Sequence, residues 1–282
     1  MSRNNLFIRF LFGILFLTSC EFNSVTDQYG PFGPDTVKAP SQVIATPISK
    51  FDRNPYLLDT SKRYIYLSFD DGPWKGTMET YALCKELGVK ATYFMIGLHA
   101  HSRKEGKFTV HLLKESYPQF LIANHSYSHA LGHYASFYQH REAAFADFLR
   151  TQDTLSPPYK IIRLPGNNAW VLKDTLKASG LVRPLCKQLD SAKFNVIGWD
   201  TEWMFNHKTA KPLQSAQKMA DQINHLMDHQ LTFTSKHLIL LTHDRMFQHP
   251  DELDSLRKMI LILQQNPKIV FETVDHYPGL NW

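Results

Sequence analysis

Cysteine is scarce in this chain. Only three occur in 282 residues, at positions 20, 84 and 186. No two form a CxxC pair, so a structural zinc ribbon is excluded. Two cysteines downstream of residue 20 do not make a disulfide framework. An oxidising compartment would permit a Cys84–Cys186 bridge, and two buried thiols is the plainer alternative. Long basic runs are also missing. The 31 Lys+Arg exceed the 26 Asp+Glu by five, with no block of five or six like charges. Nothing therefore points to nucleic acid, and the mild excess suits an anionic polymer without specifying one. No apolar run reaches the ~20 residues a spanning helix needs, and no short repeat is visible. Hydrophobic residues at 43% and charged residues at 20% are those of a globular protein, which excludes collagen-like, polytopic and wholly disordered classes. What is plentiful is histidine, with fourteen.

The N-terminus has a pattern of its own. Arg3 and Arg9 flank a short apolar run ending at Leu17. A basic start, a short apolar core and small residues before a break describe a secretory signal over residues 1–19. The break, Leu17-Thr18-Ser19-Cys20, resembles the lipobox of bacterial lipoproteins. That resemblance implies cleavage before Cys20 and lipidation of it, with a membrane-tethered protein folding outside the cytoplasm, on the periplasmic or exterior face of the cell envelope. Residues 20–60, punctuated by Gly30, Pro31, Gly33, Pro34 and Pro40, read as tether and lead-in.

From residue 61 to 282 the pattern is that of one catalytic domain. Short apolar strands are expected at Tyr64–Phe69, Ala91–Ile96, Phe120–Ala123, Ile161–Leu164, Phe194–Trp199, Leu238–Thr242 and Ile269–Thr273. Helical stripes lie between them, at Ala216, Met219, Ala220, Ile223 and Met227, at Leu253, Leu256, Ile260 and Leu263, and around Phe145, Phe148 and Leu149. Strands alternating with helices predict a parallel α/β sheet, and about seven such units suit a distorted (β/α)7-type barrel.

Five polar clusters follow five of these strands. Asp70-Asp71-Gly72-Pro73 places two carboxylates before a forced turn. Adjacent carboxylates resist joint ionisation, and a bound cation relieves that. His125 and His129 have the i, i+4 spacing that puts two imidazoles on one face of a helical turn, where they can grip one metal. His129/His133 and His225/His229 share this spacing. The latter pair lies opposite the apolar stripe of its helix and reads as a solvated face, and His133 as structural. Arg163-Leu164-Pro165, Asp200-Thr201-Glu202-Trp203 and Leu241-Thr242-His243-Asp244 complete the set. Active sites of parallel barrels sit at the carboxyl ends of the strands.

In these motifs and their order, residues 60–275 resemble the polysaccharide deacetylases of the NodB-homology type, carbohydrate esterase family 4. The resemblance implies a distorted (β/α) barrel, a polysaccharide substrate and one divalent metal, zinc first, with cobalt, manganese, nickel or iron as alternatives. It implies Asp71, His125 and His129 as ligands, Asp70 as base, Arg163 as its holder and His243 as acid. Leu241, Pro165 and Trp203 fall where the family contacts substrate. Two departures stand out. The aromatic expected after Pro165 is replaced by Gly166-Asn167-Asn168, with Trp170 further on. The motif that supports the acid ends Glu202-Trp203, so Asp200 or Glu202 could support His243, with Asp200 favoured.

The expected activity is metal-dependent hydrolysis of acetyl groups, N-deacetylation of peptidoglycan amino sugars first, because an envelope lipoprotein can reach that polymer. No protein partner is implied. An O-acetyl esterase of xylan type and a catalytically silent glycan-binding lipoprotein are the alternatives. A non-haem iron oxygenase shares the ligand set but not the barrel pattern.

Overall fold

The computed structural model describes residues 58–281, which fall within one compact unit, Pro55–Trp282. The expected signal segment 1–19, Cys20 and the tether as far as residue 57 lie outside the described residues. Among the described residues no helix is long and apolar enough to cross a membrane.

The chain alternates strand and helix through its first half: β1 (Arg63–Asp70), α1 (Lys75–Glu86), β2 (Ala91–Met95), α2 (Gly97–Ser102), α3 (Lys104–Glu115), β3 (Phe120–Asn124), α4 (Tyr134–Gln139) and α5 (Arg141–Leu155). It continues with β4 (Ile161–Ile162), β5 (Trp170–Leu172), β6 (Thr175–Lys177), α6 (Arg183–Ser191), β7 (Asn195–Val196) and β8 (Thr201–Glu202). The last elements are α7 (Ala216–Asp228), β9 (His237–His243), α8 (Pro250–Gln264) and β10 (Ile269–Phe271). The strands form one ten-stranded sheet in the order β6-β5-β7-β4-β3-β2-β1-β9-β8. Strand β10 shares an edge of β1 with β2: it pairs with Arg63–Ile65, while β2 pairs with Ser68–Asp70. The curled sheet ends at β6 and β8, so the barrel is incomplete, as expected of a distorted one.

All the expected strands are present, several shorter than expected. Three others, β5, β6 and β8, carry only two or three residues each, and β5–β6 is an antiparallel hairpin outside the βα pattern. Helices α7, α8 and α5 match the expected stripes. Met219, Ala220 and Ile223 are fully buried, while His225 and His229 face solvent. Helix α8 opens with Pro250 in its first turn, where the missing N–H is not needed. Helix α1 stops at Leu87 because Gly88 turns left-handed, with φ +65°. Cys84 and Cys186 are free, buried thiols in separate apolar clusters.

Strand β1 is buried on both faces, as a central parallel strand must be. Its alternation sorts side chains cleanly. Ile65, Leu67 and Phe69 join the cluster under helices α1, α7 and α8. Tyr64 and Tyr66 point the other way, into the barrel with Phe94, Leu121, Ala123, Ile161, Ile197 and Ile239. Period-two counting extends this inward phase to Asp70 on β1, His125 after β3, Arg163 after β4, and Leu241 and His243 on β9. The strand phase that fills the barrel therefore delivers the polar residues to its mouth.

A buried ion cluster closes the β10 side. Glu272, with 6% of its side chain exposed, accepts two bonds from Lys90 Nζ at 2.7 and 2.8 Å and faces His276 Nδ1 at 3.1 Å. Burial pushes its carboxyl up, but His276, Lys90 and the Thr273 N–H outweigh it and bring it down to about 2. A depressed carboxylate stabilises the fold above its unfolded value and loses that contribution as pH falls through the folded one. Glu272→Gln should therefore cost about 3 kcal/mol at pH 7. Urea melts of both proteins should converge as pH falls from about 4.5 toward 2. A penalty independent of pH would contradict the assignment.

Candidate active site

Asp70 ends β1 and is 4% exposed at its side chain. Burying a carboxylate this deeply requires a partner. Arg163, fully buried, donates from Nη1 to Asp70 Oδ1 at 2.8 Å and to Ser68 Oγ at 2.7 Å. Its remaining donors reach the carbonyls of Ile197 at 3.3 Å and Gly198 at 3.1 Å, and its plane lies 4.0 Å from the Phe94 ring centroid. Burial pulls the guanidinium down and Asp70 opposes that shift. The arginine thus fixes one oxygen of Asp70 and leaves the other, Oδ2, facing His125 Nε2 at 3.6 Å.

Asp71 turns away from the strand with φ 75°. Its Oδ1 lies 3.0 Å from His129 Nε2 and 3.5 Å from His125 Nε2. Those two rings stand 5.0 Å apart. They are not on a helical turn, as their spacing suggested. Ser126 and His129 are both left-handed, with φ 65° and 53°. The loop between them is held by Asp147 Oδ1, which accepts the N–H groups of Tyr127 and Ser128 at 2.7 and 3.1 Å. Asn124 Oδ1 accepts from Ser126 N, and Ser126 Oγ from His129 N. Left-handed conformations of non-glycine residues cost about 1–3 kcal/mol each and gather at functional sites. Three of them position this group.

The donor set fits a cation. His125 Nδ1 donates to the Arg163 carbonyl at 2.9 Å, so its Nε2 carries a lone pair toward the Asp71 carboxylate. Asp71 Oδ1 is buried without a hydrogen-bond donor. Lone pairs facing one another at these distances repel unless a cation lies between them. One ligand atom from each of Asp71, His125 and His129 falls within 4.8 Å of the others.

His243, from the end of β9, completes the ring of groups. Its Nε2 is 4.0 Å from Asp71 Oδ2, its Nδ1 is buried without a partner, and its ring packs 4.9 Å from Phe205. Burial holds the imidazole below its ordinary value, against Asp71, Asp70 and Glu202. Leu241 sits two residues earlier on the same inward phase and is buried.

One expectation is corrected. Asp200 does not reach His243. Its oxygens accept the backbone N–H groups of Phe233 at 2.5 Å and Ile239 at 2.7 Å, and burial raises it to about 6. Glu202 is the member of that motif whose charge acts on His243. Trp203 is fully buried, its Nε1 donates to the Gln214 carbonyl and its ring packs on Phe247. Pro165 is likewise buried, with its carbonyl accepting the Tyr138 hydroxyl at 2.6 Å. Trp170 leaves the site altogether and stacks on Phe233 at 4.1 Å.

Other residues had no sequence signal. His99 donates from Nδ1 to the Asp71 carbonyl at 2.9 Å, which steadies the left-handed turn. Tyr134, from α4, meets the His129 ring edge-on at 5.6 Å. Its ring also covers Gly166, where a Cβ would lie 3.3 Å away. An aromatic therefore stands beside the triad, but it comes from a different element than the Arg163 motif.

Residues 58–169 match the family model for polysaccharide deacetylase. The deacetylase match takes in Asp70, Asp71, His125, His129 and Arg163 and stops before the β9 residues. Comparison with curated protein sequences gives no match. Solved structures share the fold. The catalytic domain of a peptidoglycan N-acetylglucosamine deacetylase from Eubacterium rectale aligns over 80% of this chain and 96% of its own, with TM-score 0.57 and 20% identity. A CE4 esterase from Streptococcus mutans aligns over 75% and 86%, with TM-score 0.56 and 18% identity. A family 4 carbohydrate esterase from Streptomyces lividans, solved with acetate, aligns over 77% and 95%, with TM-score 0.55 and 17% identity. At these identities the likeness is one of fold, and it covers more of the chain than the deacetylase match does.

Proposed function

We propose that this domain is a metal-dependent deacetylase of an acetylated polysaccharide, acting first on N-acetylated amino sugars of peptidoglycan. The observation that carries the reading is the pairing of two carboxylates with different duties. Asp70 is fixed by Arg163, while Asp71 faces His125 and His129. The deacetylase family match and the deacetylase and esterase names of the structures sharing the fold support it.

A divalent cation, zinc first, held by Asp71, His125 and His129 would lower the pKa of water and polarise the acetyl carbonyl. Asp70 takes the proton from the attacking water through Oδ2, since Arg163 occupies Oδ1. His243 faces the triad from β9, the strand beside β1, and protonates the departing nitrogen. Its orphaned Nδ1 leaves it free of a fixed structural bond, and Glu202 stabilises its charged form. Anchoring through Cys20, in the bacterial cell envelope, belongs to the same proposal and rests on the residue 1–20 pattern.

The test is acetate release by a soluble chain beginning at Glu21 and supplied with zinc. The substrates are peptidoglycan, N-acetylglucosamine oligomers and acetylated xylan. Release from the amide substrates is expected, and release from xylan alone would make the protein an O-acetyl esterase. Zinc should titrate into the metal-free protein with one site, and Asp71→Asn should weaken binding by at least about tenfold. Bound zinc with no acetate from any substrate would leave a glycan-binding protein.

A further inference from the structure

Two arginines border the mouth of the site. The Arg103 guanidinium lies 5.7 Å from the Trp74 ring centroid. Trp74 meets His99 edge-on at 4.5 Å, and His99 holds the Asp71 carbonyl. On the other flank the Arg245 guanidinium lies 5.6 Å from the Phe205 ring, which packs on His243. Its Nη2 also reaches the His207 carbonyl at 3.5 Å. Each arginine is thus one aromatic ring removed from a site histidine. The two flanks adjoin. A Cβ at Gly76 would lie 1.9 Å from the Asp244 carbonyl oxygen and 3.4 Å from Arg245 N, so the turn after Trp74 abuts the turn that carries Arg245.

Arg63, Arg141, Arg163 and Arg257 each have a carboxylate partner. Among the described residues, Arg103, Arg150, Arg183 and Arg245 have none, and of these four Arg103 and Arg245 are the two that lie one ring away from His99 and His243. Trp74 and Arg245 are half-buried and Arg103 is exposed. A guanidinium held near a ring by cation–π attraction keeps N–H groups available to meet a carboxylate. That contact also reduces the freedom lost when the guanidinium engages. Inside the mouth lie Asp70 and Asp71, whose carboxylates would repel an anion. A positive border outside them is the arrangement that draws an acidic polymer in while admitting only its neutral acetyl group.

We propose that Arg103 and Arg245 bind carboxylate groups of the glycan, so that the substrate is an acidic acetylated glycan rather than a neutral one. The inference rests on the deacetylase reading and narrows it. The carboxylates have two sources, acid groups on the sugars themselves or those of attached peptides.

Three soluble glycans separate the cases: N-acetylglucosamine oligomers, peptide-free N-acetylglucosamine–N-acetylmuramic acid strands, and the same strands with peptides. Acetate release should favour a carboxylate-bearing strand over the neutral oligomer by roughly three- to tenfold in kcat/KM. That preference should shrink as salt shortens the screening length. In the R103Q/R245Q protein the preference should fall toward one through a rise in KM for the acidic strands. Equal rates on neutral and acidic glycans, or a preference that survives in the double variant, overturns the proposal while the deacetylase reading stands. Calorimetric binding of the acidic strands to Asp70→Asn protein reads the subsite without turnover. There, binding that the double variant leaves intact overturns it too. Acetate from none of the three, with binding that needs both arginines, sinks the deacetylase reading and keeps the carboxylate site.

Discussion

Asp70→Asn should lower turnover by roughly 10²–10⁴-fold while zinc still binds. The neighbouring Asp71→Asn should do the reverse to the metal and weaken zinc binding. The asymmetry follows from the geometry of adjacent residues. Asp70 ends a strand on its inward phase, with one oxygen on Arg163 and the other beside His125. Asp71 is left-handed and turns its carboxylate to both histidines. Asparagine at 70 keeps the oxygen that Arg163 needs, so the fold should survive and only proton transfer should be lost. Zinc calorimetry and acetate release on both variants make the comparison. A metal-free Asp70→Asn protein, or a metal-loaded Asp71→Asn one, would exchange the two roles.

The cluster of Asp71, His125 and His129 is legible because strand alternation and chemistry coincide. An apolar run that ends in Asp-Asp-Gly-Pro, or is followed by His-x-x-x-His, marks a strand end whatever the loop does next. The loop itself was not legible. His125 and His129 converge through two left-handed residues and the Asp147 cap, and spacing alone says helix before it says this. The same limit explains Asp200. The sequence reads as one strand through Trp199, yet β7 ends at Val196 and Asp200 instead caps the N–H groups of Phe233 and Ile239, 33 and 39 residues away. No local pattern reports a partner at that distance. The surroundings of Trp203 are hidden for a related reason: only the packing of Phe247 and the Gln214 carbonyl show how deeply it is buried. Tyr134 belongs to a helix that gave no apolar stripe, 32 residues before the Gly166 it covers. The Asp71–His125–His129 cluster is written in the motifs that follow strand ends, whereas its supports are written in contacts between loops.

Arg163→Met should be the most damaging single change, at about 3–5 kcal/mol of stability. The side chain is completely buried and joins β1, through Ser68 and Asp70, to the carbonyls of Ile197 and Gly198 beyond β7. Methionine fills a similar volume but leaves Asp70 as an unpaired charge in a 4% exposed position, together with two carbonyls that lose a donor. Most of the loss should come from that stranded carboxylate. The double variant Arg163→Met/Asp70→Asn should therefore recover part of the stability, so that the two effects are strongly non-additive. Arg163→Lys should fall between, since an ammonium restores the charge but not the fork that reaches four oxygens at once. Urea denaturation of these three variants and of Asp70→Asn tests this. A double variant whose loss is the sum of the single losses would mean that Arg163 serves the fold alone. Strong coupling would mean that the residue holding the sheet together is also the one that aims the base, and that Asp70 is tolerated at the barrel mouth only because Arg163 lies behind it.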